Sequence, residues 1–194
     1  MPIRPIVLSD NPLLRQKSRR VKRFGPTLQQ LIDDMVETMH TANGIGLAAI
    51  QLGVPERVIA VQIPEDPEDD ADPDEEPRDG RLYVIINPEL ARQSREMEEG
   101  IEGCLSVPGW VGEVPRHRQV TVKGRDSHGK PVRIKAQDLL ARVLQHEIDH
   151  VNGILFTDHI EDPDKIWPVT EGEEEAAEAA QEIPGGVASS GPLE

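Results

Sequence analysis

A chain of 194 residues with a single cysteine, Cys104, is long enough for one domain with a sizeable core and rules out an internal disulfide framework. Charge interrupts every apolar stretch before the roughly 20 residues a membrane helix needs, and the first residues lack the apolar run and small-residue cleavage site of a secretory signal. Membrane insertion is therefore not expected, and a reducing cytoplasm is the expected setting. The net charge of −15 is concentrated in two places: residues 65–79 hold ten acids and one arginine, and residues 161–194 hold ten acids and one lysine. The remaining sixteen acids and nineteen bases leave a weakly basic core, near +3.

In chain order, the first strong element runs from Thr27 to His40. Leu28, Leu31, Ile32, Met35, Val36 and Met39 recur there at intervals of three and four, the stripe of an amphipathic helix. Thr27 with Gln30 reads as a capping box at its start, and Asn43-Gly44 as the stop. Residues 57–63, 82–86, 119–123 and 132–135 are rich in β-formers, and Asp126-Ser127-His128-Gly129 joins the last two as a turn. They predict a mostly antiparallel sheet. The acidic segment at about 65–80 falls between the first two runs and reads as a mobile insertion at the tip of a β connection. A second helix spans about 136–152, with Gly153 as its stop. Leu140, Leu144, Ile148 and Val151 form one stripe of it, and Leu139, Val143, His146, Glu147 and His150 an adjacent one. The expected architecture is α+β, with a helix holding a site against a mostly antiparallel sheet. A catalytic domain over residues 1–166 would be followed by an acidic, disordered tail over 167–194. Such acidic runs read as solvated appendages, with a binding arm for a basic partner as the functional alternative.

His146-Glu147-Ile148-Asp149-His150 carries the chemistry. Spacing i, i+4 puts both imidazoles on one helix face within reach of one divalent ion. Glu147 flanks that ion and can carry a proton from activated water to a leaving group. Two histidines leave the site one protein ligand short, and Cys104, in Glu102-Gly103-Cys104-Leu105-Ser106, is the best third donor as a thiolate. Taken alone, the histidine pair could be a solvated helix face and Cys104 a small buried hydrophobe; their combination favours a metal centre. Gly44-Ile45-Gly46-Leu47-Ala48-Ala49-Ile50-Gln51 permits close backbone approach, and the Gln51 amide could stabilise an oxyanion. Taken alone, that stretch is a plain glycine-rich turn.

Together GIGLAAIQ, EGCLS and HEIDH resemble the three signature motifs of the peptide deformylase family, in order and in approximate spacing, with the likeness covering about residues 3–160. The resemblance implies an α+β fold with antiparallel sheets around a central metal-binding helix, and a metal-dependent hydrolase that removes the formyl group from the formyl-Met end of nascent polypeptides and releases formate. It implies Cys104, His146 and His150 as metal ligands, Glu147 as acid/base, and Gln51 with the Leu105 backbone N–H as oxyanion donors. Ile45 and Gly46 would pair with the extended substrate by strand addition, and Gly103, Leu139, Arg142 and Val143 would complete the substrate-binding set. The family's usual metal is Fe(II), and zinc, nickel or cobalt also suit these donors.

Two departures stand out. Val111 occupies a position where many relatives carry a rim arginine. Arg142, one turn before His146, could supply that charge at the mouth or form a surface ion pair; in the first case Arg142→Ala would raise KM far more than it lowers kcat. The acidic C-terminus replaces the basic helix with which some relatives dock on the ribosome, so any ribosome contact would not use a basic C-terminal helix. Trp110 and Trp167 do not make a nucleic-acid surface, and no direct DNA recognition is expected. His40, His117, His128 and His159 read as ordinary solvated or hydrogen-bonded groups. Two rivals remain at this point. One is an H-E-x-x-H metallopeptidase taking His159 or Glu161 as third ligand; the other is a non-catalytic binding module stapled by a metal.

Overall fold

A computed structural model of the chain describes residues 4–64 and 80–169. The acidic insertion and the acidic tail beyond Val169, read above as mobile appendages, lie outside the described residues. Among these residues the fold is α+β, with two antiparallel sheets and two long helices.

The first helix, α1, spans Pro26–Thr41. Its start differs from the sequence expectation. Gly25 occupies the N-cap position without a side-chain cap, and Pro26 opens the helix, so Thr27 and Gln30 form no capping box. Proline suits the first turn because its missing N–H would have had no helical partner. The helix ends at Ala42, and Asn43 takes a left-handed conformation, φ 52°.

A five-stranded sheet follows, in the order β1 (Gly46–Ala48), β2 (Val58–Gln62), β3 (Leu82–Gln93), β6 (Gln119–Arg125), β7 (Pro131–Gln137). β2 is buried on both faces because helices cover both sides of the sheet. Val58 and Ala60 meet the α1 stripe of Leu28, Leu31, Ile32, Met35 and Met39. Ile59 and Val61 meet Leu144, Ile148 and Val151 of the second helix, α2 (Asp138–Asn152). β7 enters α2 with no intervening loop; Asp138, at φ 51°, makes the turn, and residues 136 and 137 belong to the strand rather than the helix. Gly153, at φ 82°, closes α2 as expected.

The second sheet has the order β4 (Met97–Gly103), β5 (Trp110–His117), β8 (Ile166–Pro168). It packs on the side of α2 away from the large sheet, so α2 is enclosed between two sheets and nine of its residues are buried. β8 pairs Trp167 with Val111, which makes residues 167–168 part of the small sheet; the boundary expected after residue 166 falls inside this strand.

Candidate active site

Three elements from different layers meet at a cleft of about 310 Å³. The loop before β1 brings Gly44, Ile45 and Gly46; β4 and the turn after it bring Ile101 to Leu105; α2 brings Leu139, Arg142, Val143, His146 and Glu147. Trp110 and Ile101 are exposed at its rim.

His146 and His150, one turn apart on α2, face each other through their Nε2 atoms at 3.2 Å. Cys104 leaves β4 in a turn closed by the Val107 N–H donating to its carbonyl at 2.8 Å, and its Sγ lies 3.3 Å from His150 Nε2. The donor atoms of Cys104, His146 and His150 all lie within 4.8 Å of one another, the single such group found among the described residues. Tetrahedral ligands at ordinary zinc-type bond lengths would stand about 3.4 Å apart for two nitrogens and about 3.6 Å for nitrogen and sulfur. The observed separations are close to those edges. The donor set therefore fits one divalent ion.

The ligand orientations are built in. Glu102 Oε2 lies 2.9 Å from His146 Nδ1, which turns Nε2 towards the donor group. Glu102 is itself fixed by Arg116, whose Nε and Nη2 donate to its two oxygens at 2.8 and 2.9 Å, and Arg116 Nη1 donates to Asp149 at 2.5 Å. Burial opposes ionisation of Glu102, but the hydrogen bonds from Arg116 and His146 prevail and hold its carboxyl well below the usual carboxylate range. Burial likewise opposes charge on both imidazoles. At His146 the hydrogen bonds to Cys104 and Glu102 prevail and raise its pKa; at His150 burial prevails and lowers it.

Glu147 is 3% exposed and lines the cleft. Its Oε2 is buried without a hydrogen-bond partner among the described residues. Burial pushes its carboxyl up to about 7; the nearby His146 charge opposes this, while Glu102 and Asp149 add to it. Gly46 makes the space for it, since a Cβ there would run into the Glu147 carboxylate and come within 2.9 Å of Val143 Cγ1. Gln51, also buried, accepts from the Ala48 N–H at 2.8 Å. That bond turns its Nε2 towards Ser106 Oγ at 3.1 Å and Cys104 Sγ at 3.6 Å.

A family model for polypeptide deformylase matches residues 3–166. The chain belongs to the peptide deformylase family. It is 48% identical to the peptide deformylase of Thermomicrobium roseum over 93% of this chain and 98% of the relative. Among solved structures, the Ehrlichia chaffeensis peptide deformylase in complex with actinonin superposes with a TM-score of 0.76 at 36% identity, covering 93% of this chain and 96% of that one. The Met-Ala-Ser-bound class I type b peptide deformylase of Acinetobacter baumannii gives 0.73 at 36% identity, covering 82% and 99%.

Within this deformylase framework, several positions differ from their sequence reading. Arg142 lines the cleft, but it brings no free charge to the mouth and makes no surface ion pair. Its side chain is 12% exposed, and its terminal nitrogens donate to the carbonyls of Glu98, Gly100 and Val114 and to Glu102. Val111 is buried against Gly103 and opposite Trp167. The Ile45 carbonyl accepts from the Gln62 N–H at 2.9 Å, so it is engaged within the sheet. By the alternation of an antiparallel ladder, Gly46 turns its N–H and C=O to the open edge. His159, the rival third ligand, bonds instead to Asp149 at 2.7 Å and stands outside the donor group. Sequence reasoning missed Glu102, Arg116 and Ser106. The one available signal was a carboxylate two residues before the only cysteine.

Proposed function

We propose that this chain is a metal-dependent peptide deformylase, hydrolysing the N-terminal formamide of formyl-Met nascent polypeptides to formate and a free amine. Cys104, His146 and His150 would hold one divalent ion; Fe(II) follows from the family resemblance, and zinc, nickel or cobalt suit the same donors. When bound, the ion polarises the formyl carbonyl and makes water more acidic. The remaining steps fall to the chain's own residues. Glu147, buried at the cleft wall with one oxygen unpartnered, takes a proton from the attacking water and returns it to the departing amine nitrogen. Gln51 Nε2 and the Leu105 backbone N–H donate to the oxygen that becomes negative at the tetrahedral stage. The substrate chain lies along the open edge at Gly46, beside Ile45 and opposite Gly103, and the Met side chain rests on Leu139 and Val143.

The observation that carries this reading is the convergence of one cysteine and two histidines beside a buried glutamate with one oxygen unpartnered. A closed structural metal site gives Glu147 no duty. Formate release from formyl-Met-Ala-Ser tests it. Glu147→Ala is expected to lower kcat by about 10²- to 10⁴-fold with metal content unchanged. Cys104→Ser should weaken metal binding; full activity and unaltered metal affinity in that variant would overturn the assignment.

On this reading the protein would work in the cytoplasm on chains leaving the ribosome, and the acidic C-terminal sequence is a poor match for docking on RNA phosphates. Deleting the residues after Trp167 should leave ribosome co-sedimentation unchanged, and loss of binding would reverse that view.

A further inference from the structure

Cys104 follows directly on β4 of the small sheet, whereas His146 and His150 come from α2. The three donors converge only while that sheet is docked on the helix. We propose that Arg142 is the positioning residue that sets this docking, locking the cleft wall and the Cys104 thiolate against the histidine pair; the metal roles assumed here rest on the function proposed above.

Three observations converge on it. First, the guanidinium spans both strands of the small sheet nearest the site. It donates to Glu98 O at 2.8 Å and Gly100 O at 3.3 Å on β4, and to Val114 O at 2.8 Å on β5. Second, it donates to Glu102 Oε1 at 3.1 Å, and the other oxygen of that carboxylate orients His146. One side chain thus reaches the wall, the strand that ends at the thiolate and the group that aims a ligand. Third, the sheet is shaped to receive it. A Cβ at Gly100 would stand 2.7 Å from Arg142 Nη2 and 2.8 Å from Cζ, so the guanidinium lies flat where only glycine leaves room. A lysine could satisfy one or two of these acceptors as a point donor but could not fill that flat seat.

The lock predicts coupled, indirect effects. Arg142→Ala should weaken metal binding about tenfold or more, measured by chelator competition, although Arg142 touches no donor atom. In the metal-saturated enzyme kcat and KM should both worsen, because wall and triad move together; a direct substrate contact would raise KM alone. Gly100→Ala should reproduce the loss, and Arg142→Ala with Gly100→Ala should cost no more than either alone, since the added methyl then has no guanidinium to meet. Arg142→Lys should fall between wild type and Arg142→Ala, and with Gly100→Ala it supplies the measurement if Arg142→Ala does not fold. Metal affinity within twofold of wild type in Arg142→Ala or Gly100→Ala, a change confined to KM, or additive losses in the double variant would each overturn the proposal. Cys104→Ser is the control: if it too leaves metal affinity unchanged, the metal assignment has failed and not only the lock.

Discussion

The two sheets hold α2 by different physics. The five-stranded sheet meets it through Ile59, Val61, Ile85, Val120 and Val122 against Leu144, Ile148 and Val151, an interface of interlocking apolar side chains. The three-stranded sheet meets it largely through charge and hydrogen bonds. Arg116 bridges Glu102 and Asp149, Arg142 reaches three carbonyls, and Gln145 exchanges two bonds with the His117 backbone at 3.1 and 2.8 Å. Apolar packing is non-directional and indifferent to protonation, whereas a charged network is directional and fails when one partner is lost. The directional interface is the one that carries Cys104 to the histidines.

The largest expected contrast comes from cutting each interface once. Arg116→Leu removes the guanidinium that Glu102 and Asp149 share, leaving Glu102 the longer Arg142 contact and Asp149 only His159, and should cost about 3–5 kcal/mol in denaturant unfolding together with metal affinity. Leu144→Ala, in the apolar interface, should cost about 2–5 kcal/mol and leave the affinity for metal near wild type. Equal losses of metal binding in the two variants would erase the distinction between the interfaces.

A smaller effect should appear in acid. The Glu102 carboxyl is depressed in the folded state, so its stabilisation is fully present above the ordinary value of 4.5 and is lost as pH falls below it towards the lowered folded value. The urea midpoint of the metal-free protein should therefore drop progressively as pH falls below about 5, and Glu102→Gln should flatten that part of the profile. Leu144→Ala, by contrast, should keep its full slope. An unchanged slope in Glu102→Gln would show that other carboxylates govern acid unfolding.

The same division decided what was legible in the sequence. β2, β3, β6 and β7 belong to a sheet with apolar faces, and their branched side chains announced them, although β3 runs on to Gln93, well past the expected end at residue 86. β4, reading Met-Glu-Glu-Gly-Ile-Glu-Gly, and β5, with a proline and two charges among its eight residues, carry no strand signal. β4 is exposed along most of its length, and its buried contact is made by Glu102, so hydrophobic periodicity has nothing to register there. The site follows suit. His146, Glu147 and His150 were readable because helical spacing alone brings them together. Glu102 lies 44 residues from His146 and 14 from Arg116, and only tertiary pairing joins them. Arg142 was readable in position but not in direction; its helical phase pointed to the cleft, while the acceptors that draw its guanidinium on to the sheet come from strands the sequence did not disclose.

Enclosure of α2 between two sheets also limits how this protein can change. A helix with one wet face can drift in sequence along that face, as α1 can at Thr27 and Gln29. On α2, even residues outside the donor set are read by a neighbour: Gln145 by the His117 backbone, Asp149 by Arg116 and His159, Arg142 by two strands. Random mutagenesis should therefore find an almost unbroken stretch of intolerant positions through this helix, wider than the three residues of chemistry within it. A drug-resistance substitution or an evolved change of specificity would arise more readily in the exposed rim at Ile101 and Trp110 than in the helix that carries His146 and His150.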